Sequence, residues 1–271
     1  MNWGMLTQAQ RDRAYNNAAA VANSAQLVKD RNEKSALYRA AHTGHLDLPY
    51  GTAERAKWDL YPSKSPAAPC LVFIHGGYWQ MNRREDFAIF AEGLAAHGWS
   101  VAMPGYSLGP DASMTEIVAE MRASLDWLAA NGAAHGIAGK IIISGWSAGA
   151  QLAALVLDHP SVVAGLAISG VYELGPLRDT YLNAKLHLTE DEIAAFSPLR
   201  LPAVHKPMTI AYGSLELPAL VIDSRDLHAV RAAAHSPGAL IPVAGADHFT
   251  ILQALQAADG ELVRAALALA G

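Results

Sequence analysis

Short apolar runs of strand length alternate along this chain with longer segments of helical spacing, and this alternation constrains the fold more than any other feature. The clearest runs could form strands buried on both faces, and they span residues 71–75, 100–104, 140–145, 165–170 and 208–213. Helical spacing marks residues 86–97, 114–131, 148–158 and 226–234, and residues 250–269 predict a closing C-terminal helix. This order is typical of the α/β class, with a mostly parallel central sheet and helices on both faces.

The chain of 271 residues can bury a large core, so we expect one compact domain over residues 1–271. Within it, two segments fall outside the alternation. Residues 1–45 are polar, with helix formers but a weak apolar stripe, which predicts a helical arm on the main body, either a lid or a simple arm. Residues 171–207 contain a short helical stretch, 189–196, that begins with the capping pattern Thr189-Glu190-Asp191-Glu192. Because the segment falls outside the alternation, we expect it to form a small cap-like insertion over the strand ends.

Charge and cysteine content exclude several classes of function. The formal net charge is -5 with both signs mixed along the chain, so no basic stripe favours nucleic acid. Cys70 is the single cysteine and begins an apolar run, which excludes an internal disulfide and indicates an inert buried thiol. No apolar run approaches the roughly 20 residues of a membrane span. The first residues lack the pattern of a secretion signal, so we expect a cytoplasmic location and a small-molecule substrate.

A serine lies at the centre of the motif Gly145-Trp146-Ser147-Ala148-Gly149, between an apolar strand and an apolar helix. Such a sharp turn presents the hydroxyl, and the small residues on either side let strand and helix approach each other. The motif by itself is common in loops, but the strand before it and the helix after it favour a nucleophile. We therefore predict that Ser147 is the nucleophile of a hydrolase.

A serine nucleophile needs a base and an acid that orients the base. His248 lies in a loop that follows an apolar stretch and opens the final helical segment, so we predict that it is the base. Glu216 follows the predicted strand 208–213 and is our prediction for the acid. Asp223, Asp226 and Glu173 remain alternatives, because each is a carboxylate between serine and histidine in chain order.

A glycine-rich loop, His75-Gly76-Gly77-Tyr78-Trp79, follows the first predicted strand. Backbone N–H groups of such a loop stabilise the negative oxygen that forms when a serine attacks a carbonyl. We predict Gly77, Tyr78 and Ala148 as these donors, with structural roles for the histidine and tryptophan of the loop. We predict that aromatic residues line a pocket for a planar ring, namely Trp146, Tyr172 and Tyr181 together with Tyr78. The alternative is an ordinary role in the core.

Three motifs together resemble the kynurenine formamidase (arylformamidase) branch of the α/β-hydrolase esterase/lipase superfamily. They are the glycine-rich loop at 75–79, the serine motif at 145–150 and Ala246-Asp247-His248-Phe249, and the likeness extends to residues 15–17, 169–174 and 181–183. The resemblance implies an α/β-hydrolase fold and hydrolysis of an N-formyl or N-acyl aryl amide through an acyl-serine intermediate. Relatives in this branch also cleave other N-acyl anilides, such as N-acetylanthranilate.

Two other functions stay open from the sequence. One is a small-substrate carboxylesterase without preference for aryl amides, and the other is a ligand-binding homologue that has lost catalysis. We expect no organic cofactor, and no metal because Asp247 and His248 have no further ligands nearby in the sequence. The sequence leaves open whether the protein forms a homodimer.

Overall fold

The computed structural model describes residues 3–42 and 44–271. An eight-stranded sheet has the order β1-β2-β4-β3-β5-β6-β7-β8. The strands are β1 (Leu48–Pro49), β2 (Lys57–Tyr61), β3 (Cys70–Ile74), β4 (Ser100–Pro104), β5 (Ile141–Trp146), β6 (Val162–Ile168), β7 (Met208–Gly213) and β8 (Leu240–Val243). Strands β4, β3 and β5 to β8 pair in parallel, whereas β1 pairs antiparallel with β2 and β2 pairs antiparallel with β4. The predicted fold class is therefore confirmed.

The parallel register brings the carboxyl ends of neighbouring strands to one edge of the sheet. Ile74 at the end of β3 pairs with Gly145 of β5, and Trp146 at the end of β5 pairs with Ile168 of β6. Gly213 at the end of β7 pairs with Val243 of β8. The loops that carry the predicted site residues therefore leave the sheet at adjacent positions.

Helices cover both faces of the sheet. The α-helices are α1 (Gln8–Ala14), α2 (Asn17–Ala20), α3 (Ser24–Ala41), α4 (Glu92–Ala95), α5 (Met114–Asn131), α6 (Ala148–Leu155), α7 (Asn183–Leu186), α8 (Glu190–Phe196), α9 (Pro218–Ala233), α10 (Gln253–Gln256) and α11 (Glu261–Leu269). Short 3₁₀ helices occupy Trp3–Met5, Arg84–Ala91, Gly132–His135, Gly175–Asp179, Pro198–Arg200 and Thr250–Leu252. None of the helices in the described ranges is long and apolar enough to cross a bilayer.

The prediction of one closing helix over residues 250–269 is wrong. The segment begins as a 3₁₀ turn, continues as α10 and breaks before α11. Gly260 has an extended backbone, with φ -66° and ψ 151°, and a Cβ there would lie 2.1 Å from the carbonyl oxygen of Ala254. The close approach that glycine permits therefore allows the chain to turn between the two helices.

The sequence analysis did not predict strand β2, because this strand carries a charged residue that is buried in the folded protein. Asp59 on β2 is fully buried and accepts hydrogen bonds from Arg39 Nε at 2.8 Å and Arg84 Nε at 3.1 Å. Arg39 belongs to α3, so this buried carboxylate links the N-terminal arm to the sheet. The arm also contacts the segment after β6, where Tyr181 N–H donates to Asp12 Oδ1 at 2.8 Å.

Candidate active site

The turn between β5 and α6 holds Ser147 in a strained conformation, with φ 58° and ψ -121°. A Cβ at Gly145 would lie 2.2 Å from the Gly149 carbonyl oxygen, and one at Gly149 would lie 2.0 Å from that of Ile74. The two glycines are therefore required by the close approach of strand, helix and neighbouring strand. The turn places the serine hydroxyl at the N-terminus of α6, where partial positive charge favours an oxyanion.

Ser147, His248 and Glu216 form a hydrogen-bonded series in the structure. The Ser147 hydroxyl lies 3.1 Å from His248 Nε2, and His248 Nδ1 lies 3.0 Å from Glu216 Oε2. Because a carboxylate only accepts hydrogen bonds, Nδ1 carries the proton and Nε2 is left to accept from the serine. All three side chains are buried. This arrangement can remove a proton from the serine hydroxyl.

Glu216 is held by groups other than the histidine. Its Oε1 accepts a hydrogen bond from the Gly213 N–H at 2.7 Å and another from the Ser169 hydroxyl. Ser169 directly follows β6 and has a positive φ of 54°. The sequence analysis did not assign a role to Ser169, which lay inside the predicted strand 165–170 and in the segment 169–174 that resembles the family. It fixes the carboxylate that faces His248.

Of the three alternative acids, two have other partners and the third is exposed. Asp223 Oδ2 accepts hydrogen bonds from the backbone N–H groups of Tyr172 at 2.7 Å and Glu173 at 3.1 Å. Burial raises the pKa of Asp223 to about 7 in spite of these two bonds. Glu173 pairs with Arg200 at 2.7 Å, and Asp226 is exposed. None of the three contacts His248.

Trp146 packs against the loop that carries His248. Its indole N–H donates to the His248 carbonyl oxygen at 2.8 Å, and the centroids of the two rings lie 4.8 Å apart. The sequence analysis predicted a pocket residue, and the side chain does line the cavity above Ser147. Trp146 therefore also helps to position His248, a role that no local sequence pattern indicated.

The glycine-rich loop approaches the serine turn closely. A Cβ at Gly76 would lie 2.6 Å from the Trp146 carbonyl oxygen, and both Gly77 and Tyr78 have positive φ values, of 121° and 49°. The N–H groups of Gly77, Tyr78 and Ala148 donate to no acceptor within residues 3–42 and 44–271. They are therefore available to an oxyanion formed at Ser147.

The histidine and tryptophan of this loop make structural contacts. His75 is buried, with Nδ1 2.9 Å from the Gly76 carbonyl oxygen and its ring stacked on Tyr106. Burial lowers its pKa to about 3, so the ring is neutral. Trp79 is fully buried and donates to Gln151 Oε1 at 3.2 Å.

A cavity of about 320 Å³ opens above Ser147 and His248. Trp146, Phe249 and Tyr181 supply aromatic surface, and helices of the N-terminal arm form the opposite wall. Tyr172, predicted as a pocket residue, is instead fully buried in the core and does not line this cavity. Its backbone is held by Asp223, which directs the residue into the core behind the site.

The arm is connected to the glycine-rich loop through one side chain. The Tyr78 hydroxyl donates to the Tyr15 carbonyl oxygen at 2.7 Å and accepts from Asn17 Nδ2 at 3.1 Å. The arm thus covers the cavity and contacts the side chain of Tyr78 in the glycine-rich loop. Within the described residues no group of three or more His, Cys, Asp or Glu side chains is arranged to hold a metal ion.

Comparison with known proteins gives the family. The BD-FAE family model matches residues 59–158. The kynurenine formamidase of Danio rerio is 30% identical over 226 residues, which cover 78% of this chain and 76% of that protein. The chain belongs to the kynurenine formamidase family. A second relative in the family, from Salmo salar, is 29% identical and is aligned over 83% of this chain and 82% of its own length.

A solved structure extends this similarity over almost the whole chain. A Silicibacter sp. protein described as a thioesterase superposes with a TM-score of 0.83 at 27% identity, over 94% of this chain and 97% of that chain. The resemblance noted from the sequence motifs is confirmed. As a member of the kynurenine formamidase family with the α/β-hydrolase fold, the protein is a hydrolase.

Proposed function

We propose that this protein cleaves N-formyl or N-acyl aryl amides, with Ser147 as nucleophile, His248 as base and acid, and Glu216 as the residue that orients the histidine. The observation that carries the proposal is the hydrogen-bonded series from Ser147 Oγ to Glu216 Oε2 beneath an aromatic-lined cavity. The relatives named kynurenine formamidase favour a formyl or acyl amide as substrate.

The reaction follows from the positions of the donors and acceptors. Ser147 Oγ attacks the carbonyl carbon while its proton passes to His248 Nε2, and the carbonyl oxygen becomes negative near the N–H groups of Gly77, Tyr78 and Ala148. The C–N bond then breaks as the imidazolium gives its proton to the leaving amine. Water, deprotonated by the same imidazole, hydrolyses the acyl-serine and releases the acid.

One buried acceptor favours an amide over an ester. The Tyr78 hydroxyl has a single proton, which goes to Tyr15, so the amino group of Asn17 must donate to Tyr78. Asn17 Oδ1 is then the remaining end of the side chain, and it is buried without a partner among the described residues. Asn17 lines the cavity with Ser147. An amide N–H can donate to such an acceptor, whereas an ester oxygen has no hydrogen to donate.

The experiment compares amide and ester substrates in the wild type and in Asn17→Leu. Specificity constants are measured for N-formylkynurenine, N-acetylanthranilate and p-nitrophenyl acetate. We expect Ser147→Ala to abolish turnover and Asn17→Leu to lower the amide specificity constants by at least about tenfold more than that of the ester. Equal losses for amides and ester in Asn17→Leu would show that Asn17 does not select amides, and turnover of the ester alone by the wild type would identify a carboxylesterase.

A fluorophosphonate probe tests the catalytic assignment separately. The folded wild type should be labelled at Ser147, and Ser147→Ala should not. Absence of labelling in folded wild-type protein would show a binding protein that has lost catalysis.

A further inference from the structure

The glycine-rich loop and the turn that follows it hold four residues at positive φ. They are Gly77, Tyr78, Trp79 and Asn82, with φ values of 121°, 49°, 56° and 72°. A residue with a side chain adopts this backbone region at a cost, and it stays there only where surrounding contacts over-determine the conformation. Three of the four are not glycine. The contacts of their side chains therefore decide whether the loop keeps its shape.

The tryptophan and the asparagine are held from within the main body. Trp79 Nε1 donates to Gln151 Oε1 of α6 at 3.2 Å, and Asn82 Nδ2 donates to the Gly76 carbonyl oxygen at 3.0 Å. The arm contacts Asn82 through Arg31 Nη2, at the longer distance of 3.4 Å. The bonds from Trp79 and from Asn82 to Gly76 therefore do not depend on the arm.

Tyr78 is held by the arm instead. Its hydroxyl donates to the Tyr15 carbonyl oxygen at 2.7 Å and accepts from Asn17 Nδ2 at 3.1 Å. All three residues are buried. Burial raises the pKa of Tyr78 well above its usual value, so the hydroxyl keeps its proton and remains a donor. Breaking these bonds would leave buried polar groups unpaired, which makes the connection between arm and loop costly to lose.

We propose that the Tyr78 hydroxyl is a positioning group, anchored on the arm, that holds the glycine-rich loop in the shape that stabilises the oxyanion. The loop lies against the serine turn, since a Cβ at Gly76 would lie 2.8 Å from that of Ser147. A small shift of the loop therefore changes the distance from its N–H groups to an oxyanion on the serine. The arm completes the site in addition to covering it. This inference rests on the proposed acyl-serine mechanism and adds the group that keeps its oxyanion donors in place.

The test compares a ligand that forms an oxyanion with one that does not. With 2,2,2-trifluoroacetophenone, Ser147 Oγ bonds reversibly to the carbonyl carbon, the serine proton passes to His248, and the carbonyl oxygen becomes negative. Acetophenone has a similar shape and binds without this step. The inhibition constants of both ketones are measured against turnover of p-nitrophenyl acetate.

The variant Tyr78→Phe removes the hydroxyl and keeps the ring. We expect it to weaken inhibition by trifluoroacetophenone at least about tenfold, because removing one oxyanion donor outright costs about 10²- to 10³-fold in rate. Inhibition by acetophenone should change less than about twofold, since this ketone makes no oxyanion. A purely structural role, or a loosened lid, would change both constants alike. Equal changes in the two constants, or no change in either, would overturn the proposal.

The control variant is Tyr50→Phe. The Tyr50 hydroxyl also donates to a backbone carbonyl, that of Gly105, and Tyr50 does not line the cavity. This variant should leave the ratio of the two inhibition constants unchanged. If it lowered the ratio as much as Tyr78→Phe, the effect would be one of general stability and the proposal would fail.

A second variant decides the matter if Tyr78→Phe does not fold. Asn17→Ala removes one of the two bonds to the Tyr78 hydroxyl, and neither ketone has an amide N–H for Asn17 to accept. The preference for trifluoroacetophenone over acetophenone should fall by at least about threefold, as expected for the loss of one hydrogen bond. An unchanged preference in Asn17→Ala would then refute the positioning role.

The wild type separates this inference from the proposed function. Under the acyl-serine mechanism, trifluoroacetophenone should inhibit the wild type at least about 10²-fold more strongly than acetophenone. Equal inhibition by the two ketones would contradict the mechanism and this inference together. A strong preference in the wild type that persists in Tyr78→Phe would leave the mechanism intact and reject the inference alone.

Discussion

Replacing Glu216 with glutamine tests the site most directly, because it removes a charge with almost no change in shape. Glu216 Oε1 accepts from the Gly213 N–H at 2.7 Å and from Ser169, and Oε2 faces His248 Nδ1. In Glu216→Gln the oxygen must stay with the backbone N–H, which can only donate. The new amide –NH₂ therefore faces His248 Nδ1.

This orientation imposes the wrong tautomer on the histidine. Nδ1 must accept from the glutamine, so Nε2 carries the proton and points it at Ser147, 3.1 Å away. A protonated Nε2 cannot take the serine proton. The equivalent change in other serine hydrolases lowers kcat by about 10⁴-fold, or about 5 kcal/mol of activation free energy. We expect a loss of this size in Glu216→Gln.

The assay is turnover of p-nitrophenyl acetate, with thermal unfolding to show that the variant folds. Asp223→Asn is the matched control, since Asp223 is a buried carboxylate nearby that contacts two backbone N–H groups and not His248. It should keep kcat within about threefold of the wild type. Retention of more than about a tenth of wild-type kcat in Glu216→Gln, or a comparable loss in Asp223→Asn, would refute the tautomer argument.

Three further predictions concern stability. Trp146→Phe removes the donor to the buried His248 carbonyl and should cost about 1–3 kcal/mol of unfolding free energy while lowering kcat; unchanged values for both would contradict the supporting role. The pKa of Asp223 is raised on folding, so the native state binds the extra proton, and stability should fall by about 4 kcal/mol as pH rises from about 4 to about 7. Denaturant titrations should show this slope flattened in Asp223→Asn, and an unchanged slope would reject the assignment. Asp59→Asn leaves the buried Arg84 and the partly exposed Arg39 without their shared carboxylate and should lower the unfolding free energy by about 3–5 kcal/mol; a loss below about 1 kcal/mol would show that the pairing contributes little.

The fold was largely predictable because its signals are local. The strands at 100–104 and 208–213 and helix α5 have the predicted bounds, since apolar runs and the capping box at Ser113 act over a few neighbouring residues. Strands β2 and β8 were not among the predicted strands. β2 carries polar residues whose burial depends on distant partners, and β8 is a short edge strand. The break before α11 depends on a close approach to Ala254, which spacing alone does not reveal.

The sequence by itself determined the candidate nucleophile, its turn and the glycine-rich loop, because each is specified by residues adjacent in the chain. Only the tertiary structure decided which carboxylate meets His248, placed Tyr172 in the core and brought Tyr15 and Asn17 of the arm to Tyr78. These contacts join residues far apart in the chain. They depend on strand register and on how separate elements pack, and no local pattern of side chains encodes either.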